Sequence, residues 1–249
     1  MNLELLVDLH KGQLRQGPGD DAACLRALEL AGLSGKRNLQ IADIGCGTGA
    51  ASLYLAAQLD AQITAIDFLP EFLSVLSERA KAAGLSDKIT CQAQDMQELQ
   101  FAENSFDVIW SEGAIYNMGF ANGIAAWKRF LKPGGIMALS EITWLNAQRP
   151  QALTDFWQAE YAEIGLASEK ISVLENNGLQ LLGYFPLWQD CWMKNYYAPL
   201  QAAFAGFLER HAHSEAAQAI VQENKAEIAL YEENHKFFSY GFYIALKLG

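Results

Sequence analysis

Four acidic residues carry the chemical signal in this 249-residue chain: Asp43, Asp67, Asp95 and Glu112. Each stands at or just beyond the end of a short apolar run. The first leads into a glycine-rich bend, Asp43-Ile44-Gly45-Cys46-Gly47-Thr48-Gly49-Ala50. Glycines at such a bend let the backbone take positive φ and let a ligand approach where a Cβ would otherwise stand. The free N–H groups of a helix starting there point into the same space. A carboxylate beside the bend opposes a diphosphate and suits a cation. No Lys, Arg or His occurs between Leu39 and Glu78. Two ligand classes fit the spacing. Gly45-x-Gly47-x-x-Ala50 matches a dinucleotide fingerprint, with Asp67 near the expected acidic position, which would make the chain an NAD-dependent oxidoreductase. Gly45-x-Gly47-x-Gly49 behind Asp43 fits a nucleoside that carries positive charge, and the absence of basic residues favours it.

For four carboxylates to converge, the apolar runs must lie side by side with their carboxyl ends together. Runs at 39–44, 62–67, 88–93, 106–111 and 135–142 read as strands. Helical patterns at 49–58, 70–83 and 121–131 alternate with them. Such alternation predicts a parallel sheet with helices on both faces. Ligands of such sheets sit outside the carboxyl ends of the strands.

Asp43-Ile44-Gly45-Cys46-Gly47-Thr48-Gly49 resembles the first motif of class I S-adenosylmethionine-dependent methyltransferases. The resemblance continues with Asp67, with Asp95, with Phe106-Asp107-Val108-Ile109-Trp110 as a fourth strand, and with Leu131-Lys132-Pro133-Gly134-Gly135 before a fifth. It implies an α/β, Rossmann-like, doubly wound, mostly parallel seven-stranded sheet with an antiparallel last strand and a helical cap. It also implies S-adenosyl-L-methionine as cofactor and a small-molecule methyl acceptor. By motif position the cofactor-binding set is Arg15, Gln16, Asp43, Gly45, Cys46, Gly47, Gly49, Asp67, Phe68, Asp95, Met96 and Glu112. Glu112 and Tyr116 are the catalytic candidates, where cofactor and acceptor should meet, with Asn117 beside them. Arg15-Gln16-Gly17-Pro18-Gly19 resembles an arm that folds over the cofactor in small-molecule methyltransferases, where Arg15 would meet the methionine carboxylate; a solvated loop is the alternative. Asp67 either accepts from ribose hydroxyls or caps the helix before Pro70. Phe68 packs on adenine or in the core. Asp95 resembles the acceptor of the adenine amino group, and Met96 would add a backbone N–H and an apolar face.

Composition narrows the class further. Half the chain (51%) is hydrophobic and the net charge is −11. That charge argues against phosphate-driven binding to nucleic acid and against an anionic membrane surface. Met1-Asn2-Leu3-Glu4-Leu5-Leu6-Val7-Asp8 lacks a basic start and is broken by acids, so it does not read as a signal peptide. No apolar run reaches the ~18 residues of a membrane span. Cys24, Cys46, Cys91 and Cys191 are widely spaced, without a CxxC pair. The expected setting is cytoplasmic, with a homodimer left open.

The rest of the chain is a frame for that core. Residues 1–38 form a helical arm, with Asp20 or Asp21 capping a helix over 22–33. Residues 39–145 hold the cofactor, 146–236 supply the cap and substrate region with a strand at 179–184, and 237–248 the last strand, all within a single 1–249 domain. Helices are expected at 151–164, 168–177, 199–210 and 214–233. His10, Glu112, Glu141 and Asp190 are candidate general bases if the acceptor arrives protonated. Trp144, Trp188, Trp192, Tyr196, Tyr197 and Tyr243 either line an acceptor pocket or form a seam between cap and sheet. His211-x-His213 diverges on a helix end and predicts no metal site. A non-catalytic module that binds a partner through the cap is a third functional class.

Overall fold

The computed structural model describes residues 2–249; Met1, the first residue of the segment that does not read as a signal peptide, lies outside the described residues. An N-terminal arm of two helices comes first. In α1 (Leu3–His10) Asn2 is the N-cap, and in α2 (Asp21–Leu30) the Asp20 side chain accepts from the Ala22 N–H. The core follows as β1 (Leu39–Ile44), α3 (Ala50–Gln58), β2 (Ala61–Asp67), α4 (Pro70–Ala82), β3 (Ile89–Ala93), β4 (Phe106–Glu112), α5 (Phe120–Trp127) and β5 (Leu131–Trp144). Then come α6 (Gln151–Glu160), β6 (Gly165–Leu166), α7 (Ala167–Asn176), β7 (Leu179–Pro186), α8 (Gln189–Trp192), α9 (Ala198–Arg210), α10 (Glu215–Asn234) and β8 (Phe238–Lys247).

One sheet organises these elements, in the order β3-β2-β1-β4-β5-β8-β7. All pairings are parallel except those of β8, which runs antiparallel to both β5 and β7. An eighth, two-residue strand, β6, pairs with Thr143 and Trp144 on β5. The sheet is therefore one strand larger than expected, and α6 ends at Glu160 rather than 164 because the chain turns there to make that pairing. The fifth strand also starts earlier than 135. Leu131 already pairs with Phe106, and a bulge separates that pair from Val108–Ile136. The last strand occupies 238–247 and the one beside it extends to Pro186.

The period-two alternation of strands assigns the faces. Ile41, Ile63, Val108 and Trp110 point to the side covered by α2, α3 and α4, whereas Ala42, Ile44 and Ile109 point to the side covered by α5 and α7. Full burial of side chains as large as Ile41 and Leu55 contributes ~2–3 kcal/mol each. Asp43 falls on the same face as Ile41, under α3. Glu112 falls on the same face as Trp110. Both acids thus inherit their direction from the strands that carry them.

Candidate functional site

A cavity of about 510 Å³ opens over the carboxyl ends of β1, β2 and β4. Of the twelve expected cofactor residues, eleven line it; Gly49 does not. Tyr116 and Asn117, in the short turn after β4, line it too.

Asp43 is 1% exposed and forms part of the wall. Ser52, from the first turns of α3, donates to its Oδ2 at 2.6 Å. Burial pushes the Asp43 carboxyl up to about 7, with Glu112 and Asp67 adding to the shift and Ser52 opposing it. Among the described residues no cationic side chain pairs with it.

The bend after Asp43 is shaped by the protein's own contacts. A Cβ on Gly45 would collide with Ala114, one on Gly47 with Gln16 Oε1, and one on Gly49 with Leu76 of α4. Gly47 and Gly49 also sit at φ +55° and +88°, conformations that disfavour side chains. The glycines are therefore required by close packing of the turn, and Gly49 serves the α3–α4 contact rather than the cavity. Cys46 lines the cavity with its thiol donating to Gly47 O at 3.6 Å, and burial raises that thiol well above its ordinary value.

Asp67 does two things at once. Its Oδ1 accepts from the Leu69 N–H at 2.9 Å, at the start of α4, and its Oδ2 accepts from the Gly47 N–H at 2.8 Å. It therefore ties β2 to the glycine bend while facing the cavity, and burial raises its carboxyl. Phe68 is 64% exposed and lines the cavity mouth, which removes core packing as its role. Asp95 Oδ1 accepts from the Gln97 N–H, and the Met96 carbonyl accepts from Trp127 Nε1 at 3.0 Å. That bond fixes the Met96 backbone at the cavity edge.

The arm closes the site from the other side. Gln16 Oε1 accepts from the Thr48 N–H (2.8 Å) and hydroxyl (3.1 Å), and its Nε2 donates to His10 O and Gln13 O. Arg79, from α4, donates to Thr48 Oγ1 and to Gln13 O. Arg15 Nη1 donates to Glu112 Oε2 at 2.9 Å, and Nη2 meets Asp21. Trp110 Nε1 and the Cys24 thiol both donate to Glu112 Oε1. Burial works to lower the Arg15 guanidinium, but Glu112, Cys24 and Asp21 together outweigh it and hold the group above its usual value. Thr48, Ser52, Arg79, Cys24 and Trp110 escaped the sequence reading. Ser52, nine residues after Asp43 on the first turns of α3, was findable from strand and helix geometry. The others meet the site across 31 residues or more, apart from Trp110 two residues before Glu112.

A second cavity of about 330 Å³ lies beside the first under the helical cap. The two share Gln16, Gly17, Pro18, Gly113 and Tyr116. Trp192, Tyr196 and Tyr197 line the second; Trp144, Trp188 and Tyr243 do not. Tyr243 packs on the other face of the sheet with its hydroxyl on Thr143, and Trp188 stacks on Phe185. The three lining residues come from a helix that runs from α8 through a π turn, Met193–Tyr197, into α9. The extra residue in that turn lets Trp192, Tyr196 and Tyr197 face one space. Of the candidate bases apart from Glu112, His10 is buried beside Tyr196 with Nδ1 unpartnered, Glu141 is fully buried against Lys170 and Tyr161, and Asp190 is exposed on α8. None of the three lines either cavity. His211 pairs with Asp8, and no metal-holding cluster of His, Cys, Asp or Glu occurs among the described residues. No helix among them is long and apolar enough to cross a membrane.

Residues 41–135 match the family model described as a methyltransferase domain. Over 104 residues the chain is 29% identical to Methyltransferase GfsG of Streptomyces halstedii, covering 41% of this chain and 37% of that protein. Over 103 residues it is 30% identical to the 27-O-demethylrifamycin SV methyltransferase of Amycolatopsis mediterranei, covering 41% and 38%. The matched stretch thus spans less than two fifths of either curated relative. In fold, the chain superimposes on a SAM-dependent methyltransferase from Geobacter sulfurreducens, solved with S-adenosyl-L-homocysteine, with a TM-score of 0.85, 18% identity and 98% of each chain covered.

Proposed function

We propose that this chain is a class I S-adenosylmethionine-dependent methyltransferase and that it moves a methyl group from S-adenosylmethionine to a small molecule held under its helical cap. The observation that carries the reading is Asp43: a buried carboxylate in a cavity wall, supported by Ser52, with no cation of the chain beside it. Such a group is costly unless a positive charge arrives from outside.

The residues around it fit that cofactor. Asp43 suits the amino group, Asp67 retains acceptor capacity for the ribose diol beyond its two backbone N–H partners, and Phe68 offers an exposed ring to adenine. Asp95 and the anchored Met96 backbone stand at the adenine edge. Arg15 and Glu112 present opposite charges side by side, matched to an amino acid's carboxylate and ammonium. Gly45, Cys46, Gly47 and Gln16 form the floor and strap. The cofactor supplies an electrophilic methyl on a sulfonium, whose leaving group is neutral. What the protein must add is positioning and exclusion of water. The latch of Gln16, Thr48 and Arg79 holds the arm against the turn and serves both needs.

A dinucleotide fits poorly. Its diphosphate would face Asp43, Asp67, Asp95 and Glu112, with Arg15 the one cation among the described lining residues. We read 1–249 as one methyltransferase domain with a cap, working on a small acceptor and not on nucleic acid, given its net charge of −11. Its four free cysteines suit a reducing compartment such as the cytoplasm. Incubation with S-adenosylmethionine and pooled small metabolites should yield S-adenosylhomocysteine above the enzyme-free blank in some pool. Blank-level product in every pool, with pools of amines, alcohols, thiols and acids all included, contradicts the proposal.

A further inference from the structure

We infer that the second cavity admits an amine, a small nitrogen compound embraced by aromatic faces and steadied by Glu227, in preference to any anionic acceptor. This rests on the methyltransferase reading and adds the class of acceptor to it. The cavity adjoins the cofactor cavity at Tyr116 and Gly113, so a ligand inside it reaches the place where transfer occurs.

Two properties of the wall select the charge. The first is the ring set: Tyr116, Trp157, Tyr161, Trp192, Tyr196 and Tyr240 all contribute. Faces of this kind attract ammonium groups through the ring quadrupole. The second is the ionisable inventory. Glu160 and Glu227 line the space, and among the described lining residues there is no Lys, Arg or His. Lys170, which lies over the Tyr161 ring, is engaged by Glu141 at 3.0 Å. Tyr197 donates to Glu227 Oε1 at 2.9 Å and sets that carboxylate on the cavity side of α10. A carboxylate or phosphate on the acceptor would meet two like charges with no counter-ion, a strong selection against it.

The transfer itself makes the same choice. Oxygen and sulfur acceptors attack best as anions, which this wall opposes. A nitrogen lone pair attacks uncharged: it forms the bond to the methyl carbon as the carbon–sulfur bond breaks, and the broken bond's electrons remain on sulfur. Positive charge passes from sulfur to nitrogen, toward the rings and Glu227. An amine that enters protonated gives its proton to Glu227 before attack.

The test uses the full chain saturated with S-adenosylhomocysteine. Tetramethylammonium, benzyltrimethylammonium, benzyl alcohol and benzoate are titrated in turn by calorimetry. At least one cation should bind roughly tenfold more tightly than the alcohol or the benzoate. Glu227→Gln should remove most of that preference while leaving S-adenosylhomocysteine affinity unchanged, which also reports a folded variant. Benzoate binding as well as the better cation, no cation binding at all, or a preference untouched in Glu227→Gln overturns the amine assignment alone. Failure of S-adenosylhomocysteine to bind overturns the methyltransferase reading instead.

Discussion

Arg15 Nη1 donates to Glu112 Oε2 across 2.9 Å, joining the N-terminal arm to the tip of β4. The two side chains are 10% and 13% exposed, so the pair is poorly screened and its loss leaves a carboxylate uncompensated. Arg15→Ala should lower thermal stability and weaken S-adenosylhomocysteine binding by roughly tenfold or more, one charge-assisted hydrogen bond being worth about 1.5–3 kcal/mol. Arg15→Lys should recover part of the stability but less of the affinity, because an ammonium lacks the fork that serves two acceptors. Equal affinity in Arg15→Ala, measured by calorimetry, would show that the arm's cation plays no part in binding.

Asp43 gives the site a pH dependence with a definite sign. Its folded value of about 7 lies above the ordinary 3.8, so the ligand-free fold is penalised once Asp43 must ionise. The penalty is absent below pH 4, grows between pH 4 and 7, and is complete above 7. Asp43→Asn should therefore raise the melting temperature at pH 8, by roughly 2–4 °C per kcal/mol relieved, and change it little at pH 4. Cofactor binding should show the opposite trend, strengthening as pH rises through 7 with protons released. Melting curves for the two proteins that shift in parallel at both pH values would contradict this.

The glycines of the bend separate binding from folding. Gly47→Ala, at φ +55°, costs about 1–2 kcal/mol of backbone strain and otherwise meets only the movable end of Gln16, so it should also loosen the arm, lower cofactor affinity and speed proteolysis near residues 13–19. Gly49→Ala meets Leu76 in the core at φ +88° and should destabilise the fold by about 1–3 kcal/mol from backbone strain alone. Denaturant melts and affinity measurements that rank the two variants the other way would refute the division.

Lys170 and Glu141 form a buried pair that lines neither cavity but sits behind Tyr161 of the second, with Glu141 Oε2 left without a partner. Desolvation raises the Glu141 carboxyl despite Lys170 and Tyr161. Lys170→Met should destabilise the protein by about 3–5 kcal/mol near neutral pH, with a smaller loss at pH 5, where Glu141 more readily takes a proton. Lys170→Met with Glu141→Gln should restore much of that. A single variant as stable as the parent at pH 7.5 in urea unfolding would contradict the account.

The lining of the first cavity was legible because it is local. Asp43, the glycine bend and Ala50 succeed one another in a strand, a turn and a helix, and Asp67, Asp95 and Glu112 repeat that position at later strand ends. Alternation of apolar runs and helical patterns was enough to put those ends together. What lay hidden depends on distance in sequence or on irregularity. Glu112 turned out to be shared by Arg15, Cys24 and Trp110, and the latch joins Gln16 to Thr48 and Arg79. The second cavity draws Tyr116, Trp157, Tyr196, Glu227 and Tyr240 from five parts of the chain, and a π turn alters which faces Trp192 and Tyr197 present. A two-residue strand such as β6 has no period to read, and Gly49 looked like its neighbours although its positive φ and its packing on Leu76, not the cavity, explain it.

Titration of S-adenosylhomocysteine into the parent protein and into Asp43→Asn at pH 8 tests the role of Asp43 most directly. The expected result is saturable one-to-one heat for the parent and an affinity lowered by roughly tenfold or more in the folded variant, a charge-assisted contact having been lost. No heat from the parent at about 1 mM ligand, or the same affinity in both proteins, would contradict the claim that the buried carboxylate of β1 receives the cofactor's positive charge.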